Sequence, residues 1–175
     1  MRAASPAPGD AGGRNGQYSL ASMSDDRPVR VLFLCTGNSA RSQIAEVLLR
    51  HFSRNRVEVF SAGTAPQREV HPMVRETLKA LGIKAPPLTP KSMGRFVGQH
   101  FDYVITLCDE AADTCPIFPG EPEQLHWSFQ DPAAVNDANA RRRAFAQVAN
   151  GLAGRIREWM SLPSIRNRID PGEPS

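Results

Sequence analysis

The sequence predicts an α/β fold, a small four-stranded parallel sheet with helices on both faces. Three observations predict it. Short β-branched or aromatic runs alternate with longer segments of helical period, the pattern of strand–helix–strand units. The first run, residues 29–34 (VRVLFL), is nearly continuous in apolar side chains, as a strand covered on both faces should be. Three reactive residues, Cys35, Cys108 and Asp131, each fall just after a predicted strand. Open parallel sheets bind ligands at the carboxyl ends of their strands, so these three are expected on one rim.

The elements follow in order. Residues 1–27 contain 15 Gly, Pro, Ala or Ser and no apolar period, so a disordered tail is expected there. The folded domain is expected over residues 28–162. After the first strand, residues 42–53 carry Ile44, Ala45, Val47, Leu48 and Phe52 at helical spacing. A second strand spans 57–61 and closes at Ala62-Gly63. His71-Pro72 opens a second helix, since proline suits a first helical position. Val74, Leu78 and Leu81 form its apolar face and Gly82 stops it. Pro86, Pro87 and Pro90 force a loop. The third strand is 101–107, and a short loop or helix runs from Cys108 to Cys115-Pro116. A fourth strand is expected at 125–129. The last helix covers 139–159, with Phe145, Val148, Ala149, Leu152, Ile156 and Trp159 on one face. Residues 163–175, rich in Pro and Gly, are expected to form a flexible tail.

Composition bounds the function. The chain of 175 residues is 41% hydrophobic and 22% charged, enough to bury a real core in one domain. No apolar stretch approaches the ~20 residues of a membrane helix, and the N-terminus lacks the apolar segment of a secretory signal. Three cysteines are too few and too odd for a disulfide scaffold, which points to a reducing, cytoplasmic setting. The net charge of +3 does not suggest a nucleic-acid binder. Its excess is local: residues 139–169 hold seven Arg against Glu158 alone. Arg141-Arg142-Arg143 is read as a solvated helix start, and His51, His71, His100 and His126 as structural.

The chemistry concentrates in Cys35-Thr36-Gly37-Asn38-Ser39-Ala40-Arg41-Ser42. A cysteine ends a strand, five residues make a loop, and an arginine begins a helix. Loop amides and a helix N-terminus can surround one anion. Gly37 permits positive φ and Asn38 tolerates it. Arg41 offers a planar fork matched to two oxygens of a tetrahedral oxyanion. The field that suits the anion also favours a thiolate at Cys35, to which Ser42 could donate a hydrogen bond. The loop therefore reads as an oxyanion site facing a nucleophile. An inert cysteine in a strand-to-helix turn is the plainer alternative; the flanking strand, loop glycine and helix together favour the site.

Residues 35–42 resemble the phosphate-binding loop of the low-molecular-weight protein tyrosine phosphatases and of their sister group, the thioredoxin-coupled arsenate reductases. The resemblance spans about residues 29–160. Ala40 and Gln43 stand where phosphatases usually carry a second cysteine and a proline, which favours the reductase branch. Residues 107–116 (LCDEAADTCP) resemble that branch's redox segment, so the resemblance implies that Cys108 and Cys115 are resolving cysteines. It also implies that Asp131, in the Asp-Pro loop at 127–133, is the general acid. Ala133 and Ala134 follow it where phosphatases present aromatics for phosphotyrosine. Arsenate reduction takes two electrons, the number one dithiol supplies. The implied order is attack by Cys35 on arsenic, a Cys35–Cys108 disulfide, then a Cys108–Cys115 disulfide reduced by thioredoxin or a similar thiol.

Members of that branch often bind potassium near the loop, through residues matching Asn38, Glu46 and Ser61 and a Thr and Asp before the third strand. Here that segment reads Thr89-Pro90-Lys91, with Lys91 in place of the Asp. The expectation is that its ammonium stands where the cation would, with no metal and no tightly bound cofactor. A monomer is expected, acting on arsenate or phosphate. Two rival readings are a tyrosine phosphatase of the same fold, distinguished by p-nitrophenyl phosphate hydrolysis, and a non-enzymatic redox or oxyanion sensor. For Cys108 and Cys115 the plain alternative is small core residues. Zinc would require more than three cysteines with no close Cys-x2-Cys or His pair.

Overall fold

A computed structural model describes residues 27–170. The four strands are β1 (Val29–Cys35), β2 (Val57–Gly63), β3 (Tyr103–Thr106) and β4 (Glu123–His126). All pair in parallel, in the order β2-β1-β3-β4. The five helices are α1 (Arg41–Phe52), α2 (Pro72–Ala80), α3 (Asp109–Asp113), α4 (Ala138–Ser161) and α5 (Pro163–Ile169). The chain leaves β1 to build β2 on one side, then crosses to β3 on the other. That reversal opens a crevice beyond the ends of β1 and β3.

β1 sits between β2 and β3 and is buried along almost its whole length. Its side chains alternate between two clusters. Val29, Val31, Phe33 and Cys35 join the large core made with α1, α2, α4 and α5, whereas Leu32 and Leu34 join a smaller one with Phe96, Phe101, Val104, Ala111 and Phe118. Helices therefore cover both faces, but unequally. The second face has only the short α3, a single 3-10 turn at Met93–Arg95 and loops stacked through edge-on phenylalanines. All six residues expected on the inner face of the last helix are buried there.

Several elements depart from expectation. The third strand is shorter at both ends and the fourth lies two to three residues earlier, because ladder pairing with β1 and β3 decides the bounds, not the apolar run. β4 is an edge strand with an exposed face, and Trp127, expected inside it, is a core residue beyond its end. Leu81 is 39% exposed; the chain turns at Gly82, the Ile83 amide bonds to the Leu78 carbonyl, and Ile83 takes the buried place instead.

The expected tails need correction. Residues 1–26 of the N-terminal one, and 171–175 of the C-terminal one, lie outside the described residues. Arg27 belongs to the folded body, its guanidinium 3.0 Å from Asp102. Residues 163–169 form α5, which buries Ile165 (3% exposed) and Ile169 (7%). The signal was legible: Pro163 at a first helical position and two isoleucines four apart. Asp102 anchors both ends of the described segment. It accepts from Arg168 at 2.7 Å, from Arg27 and from the Arg30 amide at 2.8 Å. Burial alone would raise its carboxyl, but these hydrogen bonds and charges outweigh it and hold it below the usual carboxylate range.

Truncating Ile165 to alanine should cost about 2–5 kcal/mol, as for other buried isoleucines. Urea denaturation checks this. A true tail residue would change stability by less than ~0.5 kcal/mol.

Candidate active site

The loop between β1 and α1 is shaped by its carbonyls. Those of Cys35, Thr36, Gly37 and Ser39 accept from the backbone amides of Thr64, Ala65, Gln67 and His71, at 2.8–3.1 Å. The Asn38 carbonyl accepts from the Gln43 side chain at 3.0 Å. Each trans peptide places its N–H opposite its C=O. A loop whose carbonyls all turn outward therefore turns its amides inward. The Asn38 amide already points at Cys35 Sγ, 3.2 Å away. Asn38, not Gly37, adopts the positive φ, at 46°. Gly63 permits the close approach of β2: a Cβ there would lie 2.5 Å from the Thr36 carbonyl oxygen.

The sulfur of Cys35 is the centre of this cradle, and a proton count orients its neighbours. The Asn38 side-chain amide donates to Ser42 Oγ at 2.8 Å and to Ser61 Oγ at 2.9 Å. Ser42 Oγ lies 2.8 Å from Cys35 Sγ, placed to donate its proton when the sulfur is a thiolate. Ser61 turns its proton to the Glu46 carboxylate. The other end of Asn38 is fixed by the Lys91 amide (2.7 Å) and the Gln43 side chain (3.0 Å), both donating to Oδ1. Glu46 also faces Arg50 at 2.6 Å and Lys91 Nζ at 3.4 Å, and that ammonium touches Ser61 Oγ and the Thr89 carbonyl. Of the residues expected around a cation, Glu46, Ser61 and Thr89 face the Lys91 ammonium, whereas Asn38 accepts from the Lys91 backbone amide.

Arg41 opens α1, a helix with no side-chain cap at Ala40, unlike α2 and α4. Its guanidinium is nearly buried. One nitrogen donates to the Phe129 carbonyl at 3.0 Å and another lies 3.8 Å from Asp131 Oδ2. Phe129 reaches this place because α4 carries Gly151 there; a Cβ would lie 2.8 Å from the phenyl ring. Asp131 itself is partly exposed and caps the turn Pro132–Ala134 through the Ala133 amide.

Cys108, at the N-terminus of α3, lies beside the same loop: its Sγ is 3.4 Å from Thr36 Oγ1. Cys115 is one helix further, half-buried against the smaller core, and burial pushes its thiol up. All three cysteines are free. Cys35, Arg41, Asp131 and Cys108 are therefore brought to one rim, with Cys115 beyond them. Sequence reading missed the scaffold role of Gln43 and the bond from Thr36 to Glu110 Oε2 at 3.0 Å. The second had no signal, since Thr36 and Glu110 lie on distant segments; Gln43 binds Asn38 only five positions away, and the distant Thr89 carbonyl besides. His71, read as structural at the opening of the second helix, caps α2 through Nδ1, which accepts from the Met73 amide at 3.1 Å.

A cradle of inward amides closed by an arginine, with a cysteine at its floor and an aspartate at its lip, defines the class. The chain belongs to the low molecular weight phosphotyrosine protein phosphatase family, whose profile matches residues 30–168. Its relatives narrow this further. It is 36% identical over 130 residues to an arsenate reductase of Halalkalibacterium halodurans, covering 74% of this chain and 93% of that one. An arsenate reductase of Bacillus subtilis is 34% identical, with the same coverage. Among solved structures, the thioredoxin-dependent arsenate reductase of Corynebacterium glutamicum superposes with a TM-score of 0.62 at 36% identity, covering 80% of this chain and 63% of that longer one. Among the described residues no helix is long and apolar enough to cross a membrane.

Burial and the charge of Arg141 lower the pKa of His71, against the weaker opposite pull of Asp131 and Glu76. The folded chain therefore binds its proton less readily than the unfolded one. Stability should be full above the unfolded histidine's ~6.5 and fall as pH drops through it, levelling off below the depressed folded value. His71→Asn, which caps without titrating, should lose less stability than wild type between neutral pH and pH 5.5 in thermal melts.

Proposed function

We propose that this protein reduces arsenate to arsenite through a nucleophilic cysteine and an intramolecular disulfide relay, with thioredoxin or a similar thiol as electron donor. The observation that carries this reading is the contact between Thr36 and Cys108. It sets a second sulfur beside the loop that holds the first, and a third waits seven residues on. A phosphatase needs only Cys35, Arg41 and Asp131. The reading takes the enzyme as a cytoplasmic monomer.

Arsenate enters the cradle of inward amides at Thr36, Gly37, Asn38, Ser39 and Ala40, and the Arg41 fork binds two of its oxygens. The Cys35 thiolate, accepting from Ser42 and the Asn38 amide, attacks arsenic. Asp131 protonates the departing oxygen, which leaves as water. Cys108 then attacks the Cys35 sulfur. An S–S bond forms, the S–As bond breaks with its electron pair on arsenic, and arsenic leaves as arsenite. Cys115 attacks Cys108, freeing Cys35, and the reductant's dithiol reduces the Cys108–Cys115 disulfide. Burial pushes the Cys115 thiol up, so opening of α3 and its following loop would favour its attack on Cys108.

The reading includes no potassium. Glu46 already faces two cations, Arg50 and Lys91. A metal ion among the same oxygens would bring a third positive charge within a few ångströms, with strong repulsion at low dielectric. Lys91 is the resident cation.

Arsenate-dependent NADPH oxidation in the presence of thioredoxin and its reductase tests the activity. Cys115→Ser should release one arsenite per chain, accumulate the Cys35–Cys108 disulfide and stop; undiminished steady-state turnover would sink the relay. The wild-type rate should be equal in potassium and sodium buffers, whereas Lys91→Gln should become faster in potassium. A wild type stimulated by potassium would overturn the role given to Lys91.

A further inference from the structure

The attack of Cys108 on Cys35 needs a thiolate, and the thiol proton must go somewhere. The route lies in three atoms. Cys108 Sγ is 3.4 Å from Thr36 Oγ1, and Thr36 Oγ1 is 3.0 Å from Glu110 Oε2. A hydroxyl carries one proton. The charge-assisted bond to a carboxylate is the stronger of the two, so Thr36 donates to Glu110, and the Cys108 S–H is left to donate to Thr36. The proton path from sulfur to carboxylate is thus already aligned.

We propose that Glu110 is the base that activates Cys108, acting through the hydroxyl of Thr36. The inference rests on the arsenate-reduction reading and deepens it. In one step the Cys108 proton passes to Thr36 Oγ1 and the Thr36 proton passes to Glu110. The resulting thiolate, still hydrogen-bonded to Thr36, forms the S–S bond with Cys35. The S–As electron pair stays on arsenic, which leaves as arsenite. Glu110 is exposed, so it returns its proton to water.

The other titratable groups around Cys108 do not compete for this task. Asp109, its immediate neighbour on α3, accepts from His126 on β4 at 2.9 Å and from Ser128 at 3.4 Å. His126 is engaged on its other nitrogen by Thr106 at 2.8 Å. Cys35, at the end of β1, faces Ser42 and accepts from the Asn38 amide, and is itself the sulfur under attack. The first turn of α3 therefore carries two carboxylates with separate partners: one faces β4, the other faces the loop.

The size of the effect is bounded. An ordinary cysteine is a few per cent thiolate at pH 7, so complete deprotonation accelerates its attack by about 30-fold at most. The experiment uses the full chain in a Cys115→Ser background, mixed with arsenate, quenched with an alkylating agent and assayed by mass for the Cys35–Cys108 disulfide. Glu110→Gln should slow disulfide formation about 5- to 30-fold at pH 7, and the deficit should close above about pH 9, where bulk base removes the proton. Thr36→Val should show the same displaced pH profile, and adding Glu110→Gln to it should slow the step no further. A deficit constant across pH, an additive double variant, or an unchanged or faster Glu110→Gln would each overturn the proposal. If the Cys115→Ser parent forms no Cys35–Cys108 disulfide at all, the arsenate-reduction reading itself fails, and the two outcomes are thereby distinct.

Discussion

The loop depends on one buried side-chain amide. Asn38 is fully enclosed, adopts a left-handed backbone, and uses both ends of its side chain twice. Its nitrogen donates to Ser42, which faces the sulfur, and to Ser61, which donates to a carboxylate. Its oxygen ties the loop to Lys91 and Gln43. A buried amide left half-paired costs about 1–3 kcal/mol per lost partner, so the network acts as a unit. The orientation of the nucleophile, the outward turn of the carbonyls and the position of the Lys91 ammonium follow from the same residue.

Around that loop the fold is asymmetric, and the asymmetry suits its chemistry. The face that holds α1 and α4 contains the large core and the rigid mount for Arg41. The opposite face carries the five-residue α3, whose two ends bear Cys108 and Cys115. Short helices are marginal by themselves, and this one is held by side-chain bonds to the loop and to β4 more than by its own length. The element that must rearrange in the proposed relay is thus a short one that buries a single residue, Ala111, while the cradle is anchored by the buried Asn38 and Ala40. Local stability differs across one small domain in the way a moving segment beside a fixed site requires.

Much of this was legible in order. The alternation of apolar runs and helical periods identified the four strands and the three longest helices of the described residues, because burial on two faces leaves a strong mark on composition. Ends were less legible. β4 is placed by its ladder with β3, and its hydrogen bonds do not depend on which residues are apolar. Leu81 and Ile83 are equally apolar, and only the turn at Gly82 chooses between them. For α5 the marks were present at Pro163, Ile165 and Ile169, but its stop at Asp102, on β3's approach, lies more than 60 residues away.

For the site, the sequence by itself determined the kinds of group: a cysteine ending a strand, a short loop with Asn38, an arginine beginning a helix, an aspartate before proline, and two further cysteines. Those follow from covalent order, since a strand, turn and helix in succession bring Cys35 and Arg41 together without help. Only the tertiary structure decided which distant groups meet them. Thr36 finds Cys108 and Glu110, Asn38 finds Ser61, and Arg41 finds the Phe129 carbonyl, across 23 to 88 positions. Hydrogen-bond partners of that kind are chosen by the parallel packing of β1, β2 and β3, which aligns strand ends irrespective of how far apart they lie along the chain.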